Sequence, residues 1–351
     1  MKITDYLQLT VDKNASDLHM VVGIPPTIRI DEELVPVPNE ALLTPESMET
    51  SLKEVLTAQQ LEALTVNKEI DFSIDFSNKA RFRVNAYTQK GTWGIAFRRI
   101  PLIIPKIDEL GLPKIIHDFT TKRQGFILIT GPTGHGKSTT LASIINEINN
   151  TRGVHIVTIE DPVEFIFSPV KSIISQREMH EDTHSWSIAL RSVLREDPNV
   201  VLIGEMRDYE TISAALTIAE TGHLVFATLH TNSAAETVDR IVDVFPEEQQ
   251  SQVRLQLSNV LEGVVSQRLI PAVAGGRVVA TENMVPTNAV KTAIRDGKSY
   301  QIRSIIQTSS DSGMYTLESS LATLVKNGKI TMETALSYSM SPDDLTRLVK
   351  A

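Results

Sequence analysis

The chain has 351 residues, of which 41% are hydrophobic and 22% are charged, with a formal net charge of -9 and no cysteine. This composition favours a globular protein of two domains and argues against a disordered, collagenous or membrane-embedded class. The lack of cysteine excludes disulfides, a catalytic thiol and cysteine-ligated zinc, and the acidic charge disfavours a duplex-DNA-binding protein. No apolar run has the length of a membrane span or forms a signal-peptide core, so we expect a cytoplasmic protein.

The first hundred residues predict a small mixed α/β domain, residues 1–100. Short strands are expected over 16–38, where two prolines interrupt them, and a helix is expected over 45–64. Residues 80–87 alternate between apolar and polar side chains, and a short turn leads from them to a second strand at 93–99. The alternation predicts a sheet with one buried face.

A linker is expected over 101–113, which contains three prolines and a glycine, and a second, larger domain is expected over 114–351. Beyond the linker, strongly hydrophobic short segments are separated by helical stretches, which predicts a parallel sheet covered by helices on both faces. These predicted strands are 125–130, 154–160, 200–205 and 223–230. Apolar spacing over 247–269 predicts a further helix, and the chain ends in more helix-like sequence.

Residues 131–138 match the phosphate-loop pattern G-x-x-x-x-G-K-[ST], between an apolar strand and a helix-like segment. Glycines there let backbone N–H groups converge on phosphate oxygens, Lys137 supplies charge to the outer phosphates, and Ser138 is the expected Mg²⁺ ligand. ATP and Mg²⁺ are therefore the expected cofactors. The predicted nucleotide contacts are Gly131, Pro132, Thr133, Gly134, His135, Gly136, Lys137, Ser138 and Thr139. A chance glycine-rich turn would lack this strand-and-helix context.

Each of the other three predicted strands delivers a polar group to its carboxyl end, where an open parallel sheet binds ligands. Glu160 ends one strand, with Glu164 close behind; Glu205 ends the next, and His230 ends the last. Glu205 is our choice for orienting the attacking water, since phosphoryl transfer needs such a group, with capping of the following helix as the alternative.

For each of the remaining candidate site residues, a functional and a purely structural role are both possible. Glu160 and Glu164 would position metal or water, or form structural salt bridges; His230 would sense the γ-phosphate, or be hydrogen-bonded only. An arginine is also expected to stabilise charge on the transferred phosphoryl, although arginines on a strand face are also common as solvated side chains. The candidates are Arg81, Arg83, Arg98 and Arg99.

These motifs, in this order, resemble the secretion and type IV pilus ATPase superfamily, and within it the PilT-like retraction ATPases. The match runs nearly end to end. Its parts are an opening at 15–19 and 23–26, an arginine-bearing strand at 80–85, an Asp box at 159–165, a Walker B region at 194–198 and 204–208, and a His box at 221–231.

The resemblance implies a PAS-like N-terminal domain, a RecA-like ATPase domain and a homohexamer that holds ATP between the two domains. It also implies action at the inner membrane on a pilus platform protein, alongside a paralogous retraction ATPase and without nucleic acid, to power pilus retraction and twitching motility. Carried over by position, it places Glu205 in the catalytic role, Glu160 and Glu164 in the Asp box, and Arg83 and Arg98 among the nucleotide-reaching arginines.

The sequence departs from the family pattern at two places. Gly204 stands where a Walker B aspartate would, and 289–298 only partly matches the A-I-R-type motif of retraction ATPases. Assembly and type II secretion ATPases usually have a longer N-terminal region and a tetracysteine site, so this chain resembles the retraction group better. A PilU-like accessory ATPase, an assembly or secretion ATPase, and a nucleotide-gated scaffold ring with negligible turnover remain as alternatives.

Overall fold

The computed structural model describes residues 2–30, 33–77, 79–100 and 103–350. The chain divides into two compact units, Met1–Ile103 with Pro162–Ile166, and Ile104–Asp161 with Phe167–Ala351. The second stretch of the first unit was not expected from the sequence, which assigned it to the ATPase domain. Within the predicted linker 101–113, positions 101 and 102 lie outside the described residues, and the chain from 104 onward clusters with the second unit.

The first unit is built on a six-stranded antiparallel sheet in the order β3-β2-β1-β6-β5-β4. Along β5, the side chains of Phe82, Val84 and Ala86 are buried, which follows from the apolar–polar alternation of that strand. The elements are α1 (Ile3–Asp12), β1 (Asp17–Val21), β2 (Thr27–Ile30), β3 (Glu33–Pro36), α2 (Pro45–Val55), α3 (Ala58–Asn67), β4 (Glu69–Phe76), β5 (Ala80–Gln89) and β6 (Thr92–Ile100).

The single helix predicted over 45–64 is wrong, because the structure has two helices, α2 and α3, in its place. Thr57 interrupts the helical backbone with an extended conformation, and its hydroxyl accepts a hydrogen bond from the Gln60 N–H at 3.2 Å. This threonine caps the start of the second helix. Apolar spacing continues across the cap, so periodicity alone could not reveal the break.

The second unit contains a seven-stranded sheet in the order β13-β12-β7-β11-β10-β8-β9. All neighbouring pairs are parallel except β12 with β13, which confirms the predicted α/β fold with a parallel sheet. The elements are α4 (Ile115–Thr121), β7 (Gly125–Thr130), α5 (Lys137–Thr151), β8 (His155–Glu160), β9 (Ile173–Glu178), α6 (Trp186–Val193), β10 (Val200–Ile203), α7 (Tyr209–Glu220), β11 (Leu224–Leu229), α8 (Ala234–Asp243), α9 (Glu247–Val260), β12 (Leu261–Pro271), β13 (Arg277–Met284), α10 (Asn288–Arg295), α11 (Ile302–Thr308), α12 (Leu317–Lys326), α13 (Met332–Tyr338) and α14 (Pro342–Lys350).

The helix predicted over 247–269 is also wrong in its second half. It ends at Val260, and the following residues form β12, which pairs with the phosphate-loop strand β7. A strand buried on both faces has consecutive apolar residues, and such a run also satisfies helical spacing. Position 263 of this strand requires glycine, because a Cβ there would lie 2.2 Å from the ring of Phe119.

The C-terminal helices pack on the edge of the sheet formed by β12 and β13. Ile270 of β12 and Ala280 of β13 share one hydrophobic cluster with Leu317, Leu321 and Leu345. In the described part of the chain, no helix combines the length and the apolar character needed to cross a membrane.

Candidate nucleotide-binding site

The phosphate loop connects the buried strand β7 to helix α5. Gly131, Gly134 and Gly136 have φ values of 139°, 80° and 82°, a region in which side chains are strained. Gly136 is the N-cap of α5, and no side chain caps this helix. The first N–H groups of the helix therefore face the loop, where they are suited to bind an anion.

Lys137 lies at the start of α5 and is only 8% exposed. Its Nζ donates to the Gly131 carbonyl at 2.7 Å and to the Pro132 carbonyl at 3.0 Å. A buried ammonium is stable only with such partners, and here the backbone of the loop supplies them. The loop thus holds one fixed positive charge beside the N-terminus of α5.

We expect Gly131→Ala to lower nucleotide affinity by about tenfold or more, because misplacing binding groups by roughly 1 Å is costly. A Cβ at this position would lie 2.2 Å from the Gln267 carbonyl oxygen, and the φ of 139° would add strain. The loop would have to move away from β12. Titration with a fluorescent ADP analogue measures the effect.

Gly328→Ala is the matched control, since Gly328 also has a positive φ of 67° but a Cβ there meets nothing within 4 Å. It separates the backbone strain of the substitution from the clash. Equal affinities for the wild type and Gly131→Ala would contradict the close fit of the loop against β12.

His230 connects the loop to the carboxylate of Glu205 at the carboxyl edge of the sheet. Its Nδ1 lies 3.4 Å from Lys137 Nζ and 3.3 Å from the Thr133 hydroxyl, and its Nε2 lies 2.8 Å from Glu205 Oε1. Since an ammonium can only donate, Nδ1 accepts and Nε2 carries the hydrogen that is donated to Glu205. The ends of β10 and β11 and the loop are thereby joined in one polar network.

Glu205 is held in the ionised form by its neighbours. Burial raises the pKa of this carboxyl, but the Arg207 guanidinium, His230 and Lys137 outweigh burial and lower the pKa below its usual value. Arg207 Nη2 donates to Glu205 Oε2 at 2.8 Å. A partly buried ionised carboxylate is the kind of group that orients and activates a water molecule.

The alternative interpretation of Glu205 as the cap of the following helix is wrong. The N-cap of α7 is Asp208, whose side chain accepts a hydrogen bond from the Thr211 N–H at 2.9 Å. Glu205 lies before this cap and points one carboxylate oxygen at His230 instead.

Gly204, which stands in place of the Walker B aspartate, lies close to the neighbouring strand. A Cβ at Gly204 would lie 3.2 Å from the Cα of Glu160 and 3.3 Å from the Ile159 carbonyl oxygen, because β8 runs beside β10. An aspartate at this position would therefore require the backbones of β8 and β10 to move apart by a few tenths of an ångström. The close approach also places the backbone of Glu160 next to the strand end that carries Glu205.

Two further candidates in this unit are Glu160 and Ser138. Glu160 Oε1 accepts a hydrogen bond from the Thr158 hydroxyl at 2.6 Å. Ser138 follows Lys137 in the first turn of α5 and is half-buried. Among the described residues, no group of three or more His, Cys, Asp or Glu side chains is arranged to hold a metal ion.

The remaining predicted residues lie in the first unit. Glu164 belongs to the stretch Pro162–Ile166, while Arg83 and Arg98 are directly opposite each other on β5 and β6. Arg98 Nε also contacts Asp17 Oδ1 at 2.9 Å. Glu164, Arg83 and Arg98 therefore belong to the first unit, whereas the loop, Glu160, Glu205 and His230 belong to the second.

The two other arginine candidates have structural partners inside the first unit. Arg81 Nη1 contacts Asp75 Oδ1 at 2.9 Å, and its Nε donates to the Val163 carbonyl at 3.3 Å. Arg99 donates to the carbonyl of Val11 at 3.3 Å.

Sequence reasoning missed the residues of β12 and β13 that contact the loop. The Leu269 N–H donates to His135 Nδ1 at 2.9 Å, and Arg277 Nη1 donates to the Gly134 carbonyl at 3.3 Å. Burial, followed by the charges of Arg268, Arg277 and Lys137, lowers the pKa of His135. Neutral imidazole fits this site, because protonation of Nδ1 would remove the acceptor that the Leu269 N–H uses. No motif marked either residue in the sequence: Leu269 ends the segment that was predicted as a helix, and Arg277 lies beyond that segment.

A buried parallel sheet, a phosphate loop with a buried lysine, and an ionised carboxylate at the end of an adjacent strand define a nucleoside triphosphatase of the P-loop class. Within that class, the chain belongs to the type II/IV secretion system protein family, whose model matches residues 67–307. The resemblance predicted from the motifs is thereby confirmed.

Two curated relatives and one solved structure define the similarity more closely. The type IV pilus retraction ATPase PilT of Pseudomonas aeruginosa is 46% identical over 90% of this chain and 91% of its own length. The type IV pilus ATPase PilU of the same organism is 37% identical over 100% of this chain and 92% of its own length. A crystal structure of the pilus retraction motor PilT with bound ADP superposes with a TM-score of 0.92 at 45% identity and covers 99% of both chains.

Proposed function

We propose that this protein is an ATP-hydrolysing motor that drives retraction of type IV pili and so twitching motility. The observation that carries the proposal is the polar network Lys137–His230–Glu205, which joins the phosphate loop to an ionised carboxylate. Its similarity to retraction motors extends over almost the whole chain, and not over the phosphate loop alone. Family membership supports the hydrolytic activity.

The residues of the second unit divide the chemistry among them. The N–H groups of the loop and of the first turn of α5 bind phosphate oxygens, and Lys137 places its charge against the outer phosphates. The Glu205 carboxylate orients the attacking water, and His230 holds that carboxylate while its other nitrogen faces the loop. Hydrogen bonds within the protein hold Lys137, Glu205 and His230 in place, and groups held in this way need less reorganisation during the reaction.

The site suits Mg²⁺ that arrives together with the nucleotide. Ser138 is half-buried in the first turn of α5 and would supply a hydroxyl ligand, and Gly204 removes the carboxylate that would otherwise ligate from β10. Mg²⁺ in nucleotide sites takes its other ligands from phosphates and water. When bound, the ion would neutralise charge that develops on the phosphates.

The first unit is proposed to add Glu164, Arg83 and Arg98 to the nucleotide site. Arg83 and Arg98 lie directly opposite each other on adjacent strands, where like charges repel unless an anion or a carboxylate lies nearby. Arg98 already has Asp17 as a partner. The arginine pair is proposed to bind phosphate through its guanidinium donors. Glu164 lies within the predicted Asp box together with Glu160, and it is proposed to share the role of Glu160 in positioning metal or water.

The assembly and its location are also proposals. We propose a homohexamer in the cytoplasm, peripheral at the inner membrane, which acts on a pilus platform protein without nucleic acid. The presence of both PilT and PilU in Pseudomonas aeruginosa supports a paralogous retraction ATPase as a further partner. Mass measurement with and without nucleotide tests the hexamer.

Deleting the gene in its source organism should leave cells with excess surface pili and without surface motility. A retraction motor removes subunits from the fibre, so its loss leaves extension unopposed. Electron-microscopic pilus counts and surface-spreading assays measure the outcome, with complementation by the wild-type gene as the control. Cells without pili would mean an assembly motor instead, and unchanged pili and motility would favour an accessory ATPase.

A further inference from the structure

Strand β12 continues beyond the end of its partner β7 and runs beside the phosphate loop. Ser266, opposite Thr130, is the last paired residue, and the two hydroxyls lie 2.8 Å apart. The next residue, Gln267, therefore lies level with the start of the loop at Gly131. Its side chain is 2% exposed, and it belongs to none of the motifs that identified the site.

Both ends of the Gln267 amide contact the nucleotide-binding segment. Nε2 donates to the His135 carbonyl at 2.6 Å, and Oε1 accepts from the Thr140 hydroxyl at 2.9 Å. His135 lies within the loop, whereas Thr140 lies in the first turn of α5. The buried side chain of Gln267, which belongs to β12, thus fixes the position of the loop relative to α5, the helix that follows the loop.

The backbone around Gln267 sets the distance between β12 and the loop. The Gln267 carbonyl oxygen lies so close to Gly131 that only glycine fits there, since a Cβ at position 131 would lie 2.2 Å from this oxygen. Two residues further on, the Leu269 N–H donates to His135 Nδ1 at 2.9 Å. His135 is therefore held at its carbonyl by Gln267 and at its ring by Leu269.

We propose that Gln267 is a positioning residue for the phosphate loop, a role that rests on the proposed nucleotide-binding function. Its amide keeps the peptide of His135 turned so that the carbonyl faces β12 and the N–H groups on the other side of the loop remain directed at phosphate. Without the amide, the His135 carbonyl and the Thr140 hydroxyl lose buried partners, and such groups seek other partners. The loop then spends only a fraction of its time in the binding conformation, and the apparent affinity falls by that fraction.

Gln267→Met, which keeps the length of the side chain and removes both hydrogen bonds, should raise the dissociation constant of a fluorescent ADP analogue about tenfold. Thr140→Val should raise it by a smaller factor, and adding Thr140→Val to Gln267→Met should change it little further, because the shared contact is already lost. Under steady-state conditions, the KM for ATP should rise more than kcat falls. If Gln267 served stability alone, its substitution would lower the melting temperature without raising the KM for ATP more than it lowers kcat.

Gln252→Met on the exposed side of α9 is the matched control, and it should bind like the wild type. Dissociation constants within twofold of the wild type for Gln267→Met and Thr140→Val would overturn the proposal, and Thr140→Val decides alone if Gln267→Met does not fold. If the wild type binds no nucleotide, the proposed function fails and this proposal with it. Normal wild-type binding with unaffected variants refutes only the role of Gln267.

Discussion

Lys137→Ala should remove nearly all ATP turnover, by about 10²- to 10³-fold or more, and most of the affinity for the outer phosphates. The buried ammonium is the fixed positive charge of the loop, and its Nζ also holds the carbonyls of Gly131 and Pro132. Alanine leaves both the γ-phosphate charge and these two carbonyls without their partner. Steady-state phosphate release and equilibrium binding of ATP and ADP analogues measure the two effects.

Lys326→Ala is the control for the loss of a lysine, since Lys326 is exposed near the end of α12. It should hydrolyse ATP at the wild-type rate. Turnover retained in Lys137→Ala would exclude the phosphate loop as the catalytic nucleotide site, and with it the proposed function.

Glu205→Gln should lower the hydrolysis rate by about 10²- to 10⁴-fold and leave nucleotide binding largely intact, which is the range for one positioned acid–base group. Glutamine preserves the shape of the side chain and an oxygen that can accept from His230, but it lacks the negative charge that orients water. Because the pKa of Glu205 is held below its usual value, wild-type activity should not require deprotonation of this group near neutral pH. Single-turnover rates and nucleotide titration separate chemistry from binding.

Glu210→Gln on the exposed first turn of α7 is the matched control, and it should be as active as the wild type. A parallel loss of binding in Glu205→Gln would indicate a structural or metal-binding role. Equal turnover in the wild type and Glu205→Gln would contradict the catalytic assignment, and turnover that is negligible in both would favour the nucleotide-gated scaffold.

The parts of the site that are local in sequence could be predicted before the structure. The phosphate loop is a contiguous pattern, and Glu205 and His230 each follow a short apolar strand, so the rule that parallel strands share one carboxyl edge brought them together. That Glu205 and His230 are hydrogen-bonded could not be predicted, because strand order between segments is not contained in their patterns. The structure supplies it by pairing β10 with β11.

The parts that escaped prediction depend on contacts between distant segments. Strand β12 satisfies the spacing of a helix as well as that of a buried strand, and only its pairing with β7 decides between them. The contact of Gln267 with Thr140 joins residues 127 positions apart, and no short pattern includes both. In the first unit, the break between α2 and α3 at Thr57 was hidden by apolar spacing that runs through it.

Strand β12 contacts both the phosphate loop and the last helices of the chain. Gln267 and Leu269 contact the loop, while Ile270 of the same strand packs in one cluster with Leu317 and Leu345. Packing that orders β12 therefore affects both its contacts with the loop and its contacts with the C-terminal helices. Coupling between two sites is reciprocal. If Gln267 positions the loop as proposed, a substitution that loosens the packing of Leu317 and Leu345 should also weaken nucleotide binding, and bound nucleotide should stabilise that packing.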